Sequence, residues 1–128
     1  MHSIFPVLKY DDAHAAIDFL GKAFGFERLQ VHEDDEGRVV HAELSFGEAV
    51  VMLSSAGAGD PVYDQGLGRT TVYVVVDDVD PLYERAKAAG AEIVLEPTDQ
   101  DYGSRDFTVR DPEGNLWSFG TYRPAAGG

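Results

Sequence analysis

His41 and Glu43 stand two apart in the run His41-Ala42-Glu43-Leu44-Ser45-Phe46. On a strand, residues two apart point the same way, so an imidazole and a carboxylate share one face. Such a pair can bind a metal ion, or serve as a base and the group that orients it. Two donors on one strand do not complete a metal site, which needs at least three converging N/O donors. The plain alternative is a solvated histidine, and His2, His14 and His32 receive no role. A second polar set lies near the end of the chain, where Asp106, Thr108 and Arg110 alternate with Phe107 and Val109, and Ser118 sits between Trp117 and Phe119. Tyr63 and Tyr102 fall in loop segments, where a flat ring with a hydrogen-bonding tip suits capture of planar ligands or simply anchors a loop. Arg105 can fork to a ligand carboxylate or to one of the chain's own, and in so acidic a protein the internal pair is expected.

Other chemistries are excluded by residue type. The chain has no cysteine, which removes disulfides, thiolate metal sites and cysteine nucleophiles. Gly57-Ala58-Gly59 precedes no helix, so it is not a phosphate-cradling loop, and no serine sits in a nucleophile elbow. A net charge of −13 repels phosphate backbones and anionic surfaces, so neither nucleic acid nor membrane is an expected partner. That charge either attracts a cationic small molecule or belongs to an acidic solvated surface. The first residues carry neither a basic region nor a long apolar stretch, and a cytoplasmic location is the expectation.

The elements that must position these residues form a repeat. Residues 3–9 read as a strand, and residues 12–24 as a helix with Asp12 as N-cap and Gly25 as its left-handed stop. Strands follow at 27–33, 38–46 and 49–54. In the second half, residues 70–76 read as a strand. Asp80-Pro81 reads as an N-cap and first helical position, and the helix closes at Gly90. Strands at 92–95, 105–110 and 115–122 complete it. An offset of 65 residues superposes the two helix ends and maps Asp12 onto Asp77 and Phe5 onto Thr70. The pattern is βαβββ written twice in one domain of 128 residues. Module one covers residues 1–54, the linker 55–69 and module two 70–122.

Between the last two strands stands Asp111-Pro112-Glu113-Gly114-Asn115, a turn in which proline presets φ and glycine and asparagine tolerate positive φ. This hairpin, with the doubled βαβββ unit, resembles the closing hairpin of the vicinal oxygen chelate superfamily of glyoxalases, extradiol dioxygenases and bleomycin-resistance proteins. The resemblance implies an α+β fold in which two modules form an open curved sheet around a cup. Strand alternation then puts Ala42, Leu44, Phe46, Phe107, Val109, Trp117 and Phe119 on the helix side. His41, Glu43, Ser45, Asp106, Thr108, Arg110 and Ser118 then face the cup, together with Phe5, Val72 and Met52. Metal-dependent relatives carry ligands at positions that fall here on Phe5, on Met52 (or its neighbours Val51 and Leu53), on Thr70 and on Ser118. None is a competent donor, so no metal and no cofactor are expected.

The segment around Tyr102-Gly103-Ser104-Arg105 resembles the metal-free, PhnB-like members. The expected function is binding or sequestration of an aromatic or cationic small molecule, as in antibiotic resistance. The ligand-binding residues would be His41, Glu43, Met52, Tyr63, Tyr102, Asp106, Thr108 and Ser118, in a homodimer. An enzyme using His41 and Glu43, or a structural role without a ligand, are the alternatives.

Overall fold

The computed structural model describes residues 3–63, 67 and 69–124. The chain divides into two compact units, Met1–Gly68 and Arg69–Gly128. The architecture is α+β, two four-stranded sheets each with one helix.

In the first unit, β1 (Val7–Tyr10), α1 (Ala13–Phe24), β2 (Glu27–Glu33), β3 (Val39–Phe46) and β4 (Ala49–Ser55) form a sheet of order β1-β4-β3-β2. β1 lies parallel to β4, and the other pairs are antiparallel. Asp12 caps α1 by accepting from the backbone N–H of Ala15 at 3.0 Å. Gly25, at φ 86°, ends the helix in the left-handed conformation that a side chain would resist. Ile17, Leu20, Ala23 and Phe24 bury α1 against Ala42, Leu44, Val51 and Leu53 of the sheet. An aromatic chain continues this core, with Phe24–Phe26 centroids at 6.3 Å and Phe26 stacked on Phe46 at 5.0 Å. Each large side chain removed from water here is worth roughly 1.5–3 kcal/mol before entropy is counted.

β1 is shorter than the residues 3–9 expected. It starts only at Val7, leaving Phe5 outside the ladder and 48% exposed. Pro6, without an N–H, cannot donate to a ladder, although its carbonyl accepts from Met52 N at 3.0 Å.

The second unit repeats the topology. Its elements are β5 (Thr71–Val75), α2 (Val79–Ala88), β6 (Glu92–Asp99), β7 (Arg105–Arg110) and β8 (Leu116–Gly120), in the order β5-β8-β7-β6. Two expectations are corrected here. The N-cap of α2 is Asp78, which accepts from Asp80 N at 3.3 Å, and Pro81 sits inside the first turn. Proline fits there because first-turn N–H groups lack helical partners anyway. β6 runs on to Asp99 rather than stopping at Leu95. It passes Pro97 with register breaks, as an edge strand permits.

The hairpin is held from within. Asp111 is buried, and its Oδ1 accepts from the backbone N–H groups of Glu113 and Asn115, both at 3.0 Å. Its Oδ2 accepts from the Trp117 indole at 3.1 Å and from Asn115 Nδ2 at 3.2 Å. Asn115 Oδ1 in turn accepts from Thr70 N at 3.0 Å, fastening the start of β5. Gly114, at φ 93°, supplies the turn's left-handed residue. Phe107, Val109, Trp117 and Phe119 are fully buried, and Phe107 meets Phe119 at 5.3 Å and Tyr83 of α2 at 5.6 Å.

Candidate functional site

The sequence-derived candidates fall into two groups, one in each unit. In the first unit, β3 presents His41 and Glu43 on the face opposite α1, with His41 Nε2 and Glu43 Oε2 2.7 Å apart. Glu43 stands in register with Met52 of β4, and Met52 with Val7 of β1. One layer along the same face is Lys9, in register with Ser54. A register shift in β3 around Val40 breaks the alternation, so that Val39 is buried while Val40 and His41 are both half-buried. Val40 and His41 border a cavity of about 520 Å³ whose lining also includes Val7, Lys9, Ser54 and Asp60, while Glu43 is not part of it.

Lys9 is the residue the sequence reading missed. Its Nζ donates to the carbonyls of Ala58 at 3.2 Å and Ser55 at 3.4 Å, so a cation is fixed on the wall. The lining thus carries charges of both signs, Lys9 and Asp60. The signal was in the sequence, since Lys9 alternates with the buried Leu8 and Tyr10. Met52 is half-buried on this face but does not line the cavity. Tyr63 ends a short 3-10 turn, Pro61–Tyr63, and its side chain lies outside the described residues.

In the second unit, Thr108 and Ser118 meet hydroxyl to hydroxyl at 3.0 Å, and Thr108 is buried. Val72 does not join them. It registers with Trp117 on the α2 side, and Tyr73 takes the place beside Ser118. The run 70–76 is apolar or β-branched throughout, so its alternation hid the facing, which the parallel register with β8 reveals. Asp106 Oδ1 accepts from Gln100 Nε2 at 3.0 Å, and the Tyr102 hydroxyl lies 3.5 Å from Asp106 Oδ2. Desolvation, and then the neighbouring Asp106 charge, push the Tyr102 phenol up from its ordinary value, so it stays a neutral donor.

Arg105 takes the internal role expected of it. It donates to Asp80 at 3.0 Å and Asp99 at 3.3 Å, and those two hydrogen bonds raise its pKa further. Arg110 likewise pairs with Glu92 at 3.1 Å.

At the positions where metal-dependent relatives carry ligands, Phe5 is exposed ahead of β1, Met52 offers a thioether, and the Ser118 hydroxyl is engaged by Thr108. Thr70 brings only a hydroxyl. Among the described residues no three His, Cys, Asp or Glu side chains gather as a metal-holding group. The donor set does not fit the hard, N/O-ligated metal of those relatives.

Comparison with known proteins places this geometry in a lineage. The sequence profile described as "Glyoxalase/Bleomycin resistance protein/Dioxygenase superfamily" matches residues 5–119. An uncharacterized protein of Mycobacterium bovis is 37% identical over 124 residues, covering 92% of this chain and 82% of the relative. A probable lactoylglutathione lyase of Vibrio cholerae is 28% identical, covering 88% and 85%. The crystal structure of TioX from Micromonospora sp. ML1 superposes with a TM-score of 0.81 at 36% identity, covering 94% of this chain and all of that one. The chain belongs to the glyoxalase/bleomycin resistance protein/dioxygenase superfamily.

Proposed function

We propose that this protein is a metal-free small-molecule binding protein of the superfamily, akin to its PhnB-like branch, which sequesters a compact aromatic compound. The observation that carries the reading is the cavity on the first unit's open face. Val7 and Val40 provide apolar wall, and Lys9, His41, Ser54 and Asp60 provide polar handles. Mixed linings of this size orient a mostly apolar ligand through a few hydrogen bonds. The misfit of the four inherited ligand positions supports a metal-free mode. The lack of cysteine fits a reducing, cytoplasmic setting. The superfamily's habit of pairing, and the edge strands β1 and β2 of the first sheet, support a homodimer.

The test is a thermal-shift and calorimetric screen of planar aromatic compounds bearing one charged or hydrogen-bonding group, with and without chelator. The expected hit is indifferent to chelator and weakens roughly tenfold in His41→Ala, the loss of about 1.4 kcal/mol. Binding that needs about one transition metal per chain refutes the proposal. A second reading rests on the 2.7 Å His41–Glu43 pair, of which His41 lines the cavity, an arrangement suited to proton transfer. It predicts that a bound hit is converted, and that Glu43→Gln abolishes conversion while binding survives.

A further inference from the structure

Three exposed tyrosines of the second unit gather around one carboxylate, and neither the cavity nor the core requires them there. Tyr102 and Tyr122 stand nearly perpendicular, their ring centroids 5.8 Å apart at 87°. Both remain widely open to solvent, at 66% and 50%. The Tyr73 hydroxyl donates to the Tyr122 carbonyl at 2.6 Å, which joins β5 to the segment after β8. Two more hydrogen bonds fix that segment, Tyr122 N to Ser104 Oγ at 3.2 Å and Arg105 N to Thr121 Oγ1 at 3.0 Å. Asp106 lies within the group, its Oδ2 3.5 Å from the Tyr102 hydroxyl.

Gly120 makes this crowding possible. A Cβ there would stand 2.7 Å from the Tyr73 hydroxyl and 2.9 Å from Asp106 Cβ, inside van der Waals contact. The glycine is demanded by the approach of Tyr73 to Asp106, and not by a left-handed backbone. Arg105, next to Asp106 on β7, does not fill the group, because it turns away to Asp80 and Asp99.

We propose that Tyr73, Tyr102, Tyr122 and Asp106 form a cage for an organic ammonium group, with quaternary or tertiary ammonium as the ligand class. Tyr102 and Tyr122, set at right angles and open to solvent, leave ring faces whose negative quadrupole a cation can approach, and the carboxylate beside Tyr102 supplies the counter-charge. A quaternary ammonium has no N–H to satisfy, so open aromatic faces suit it better than they suit a strongly hydrated primary amine. The cage stands on second-unit residues alone and does not depend on the reading of the His41 cavity.

The test is an NMR titration of the intact protein with choline, and with its neutral carbon analogue 3,3-dimethylbutan-1-ol, at about 150 mM salt, where weak long-range attraction is screened. Saturable choline shifts centred on Tyr73, Tyr102, Gly120 and Tyr122 are expected, with the analogue binding at least about tenfold more weakly. Tyr102→Ala and Asp106→Asn should each weaken choline roughly tenfold, and Tyr102→Phe, which keeps the ring, by no more than about threefold. Asp35→Asn, on the exposed turn of the other unit, should change nothing. Equal binding of the neutral analogue overturns the cage, as does a non-saturating response spread over the acidic surface. If Asp106→Asn fails to fold, the Tyr102→Ala and Tyr102→Phe pair still decides. A choline failure alongside an aromatic hit at His41 removes this inference and leaves the first one standing.

Discussion

Replacing Asp111 by alanine tests how far the closing hairpin depends on one buried carboxylate. In the structure Asp111 serves four donors, of which Asn115 N and the Trp117 indole N–H lie fully inside. Each buried donor left unpaired costs about 1–3 kcal/mol, and the more exposed Glu113 N–H reverts to water at little cost. The expected loss is about 3–5 kcal/mol, a large share of the roughly 5–15 kcal/mol that holds a domain of ordinary stability. Urea unfolding followed by far-UV circular dichroism measures it without relying on the single tryptophan as probe. Trp117→Phe removes one donor along with some packing, and the double-mutant cycle isolates the Asp111–Trp117 term. A coupling of about 1–2 kcal/mol is expected. A single-variant loss under about 1 kcal/mol, or a coupling near zero, refutes the claim that the carboxylate organises this hairpin.

Three further outcomes are accessible to simple assays. Asp34 is held below the ordinary aspartate value of 3.8, first by the Arg38 backbone N–H. Because its folded pKa is depressed, its stabilisation of the β2–β3 turn is present above the unfolded value and fades as pH falls through the folded one. Amide shifts of Glu36 and Arg38 should follow that low midpoint, and an ordinary midpoint would contradict it. Arg105→Met should leave the chemical-denaturation midpoint nearly unchanged, since its partners Asp80 and Asp99 are exposed, and a clear drop in the midpoint would show that the pair is more than a surface clamp. Glu43→Gln should leave the melting temperature within about 3 °C, because the His41–Glu43 pair is only half-buried. Unfolding of that variant would show that the pair is a structural support.

Much of the fold was legible where local chemistry leaves one solution. Gly25 and Gly114 need left-handed backbone, Asp12 stands where α1 needs a cap, and Phe107, Val109, Trp117 and Phe119 alternate cleanly into the core. Reading failed where several residues could do the same job. Asp77, Asp78 and Asp80 all offer an N-cap, and only the observed bond to Asp80 N selects Asp78. β6 hid its length because proline is tolerated at an edge.

The candidate site was harder to read, since long-range register decides what faces what. His41 and Glu43 meet because they share a strand, which local sequence shows. Tyr73 joins Ser118 through a parallel pairing 45 residues away, and Lys9 joins Ser54 in the same manner. No local pattern encodes those meetings. Tyr122 was missed for a related reason, being tied in by Tyr73 and Ser104 rather than by any periodicity.

The sheet order has a bearing on how the chain is made. In each unit the first strand hydrogen-bonds the last one, β1 to β4 and β5 to β8, while the neighbours between them are hairpins. On the ribosome, β1 therefore waits with α1 for β4, more than forty residues later, before it has a ladder partner, and β5 waits equally long for β8. The hairpins β2–β3 and β6–β7 close early with short loops, so they are the natural first structure, and the parallel pairing is the late, slow step. β4 is flanked by β1 and β3, and β8 by β5 and β7, so in either unit a nascent chain stalled before its last strand holds two strands with unsatisfied edges at once.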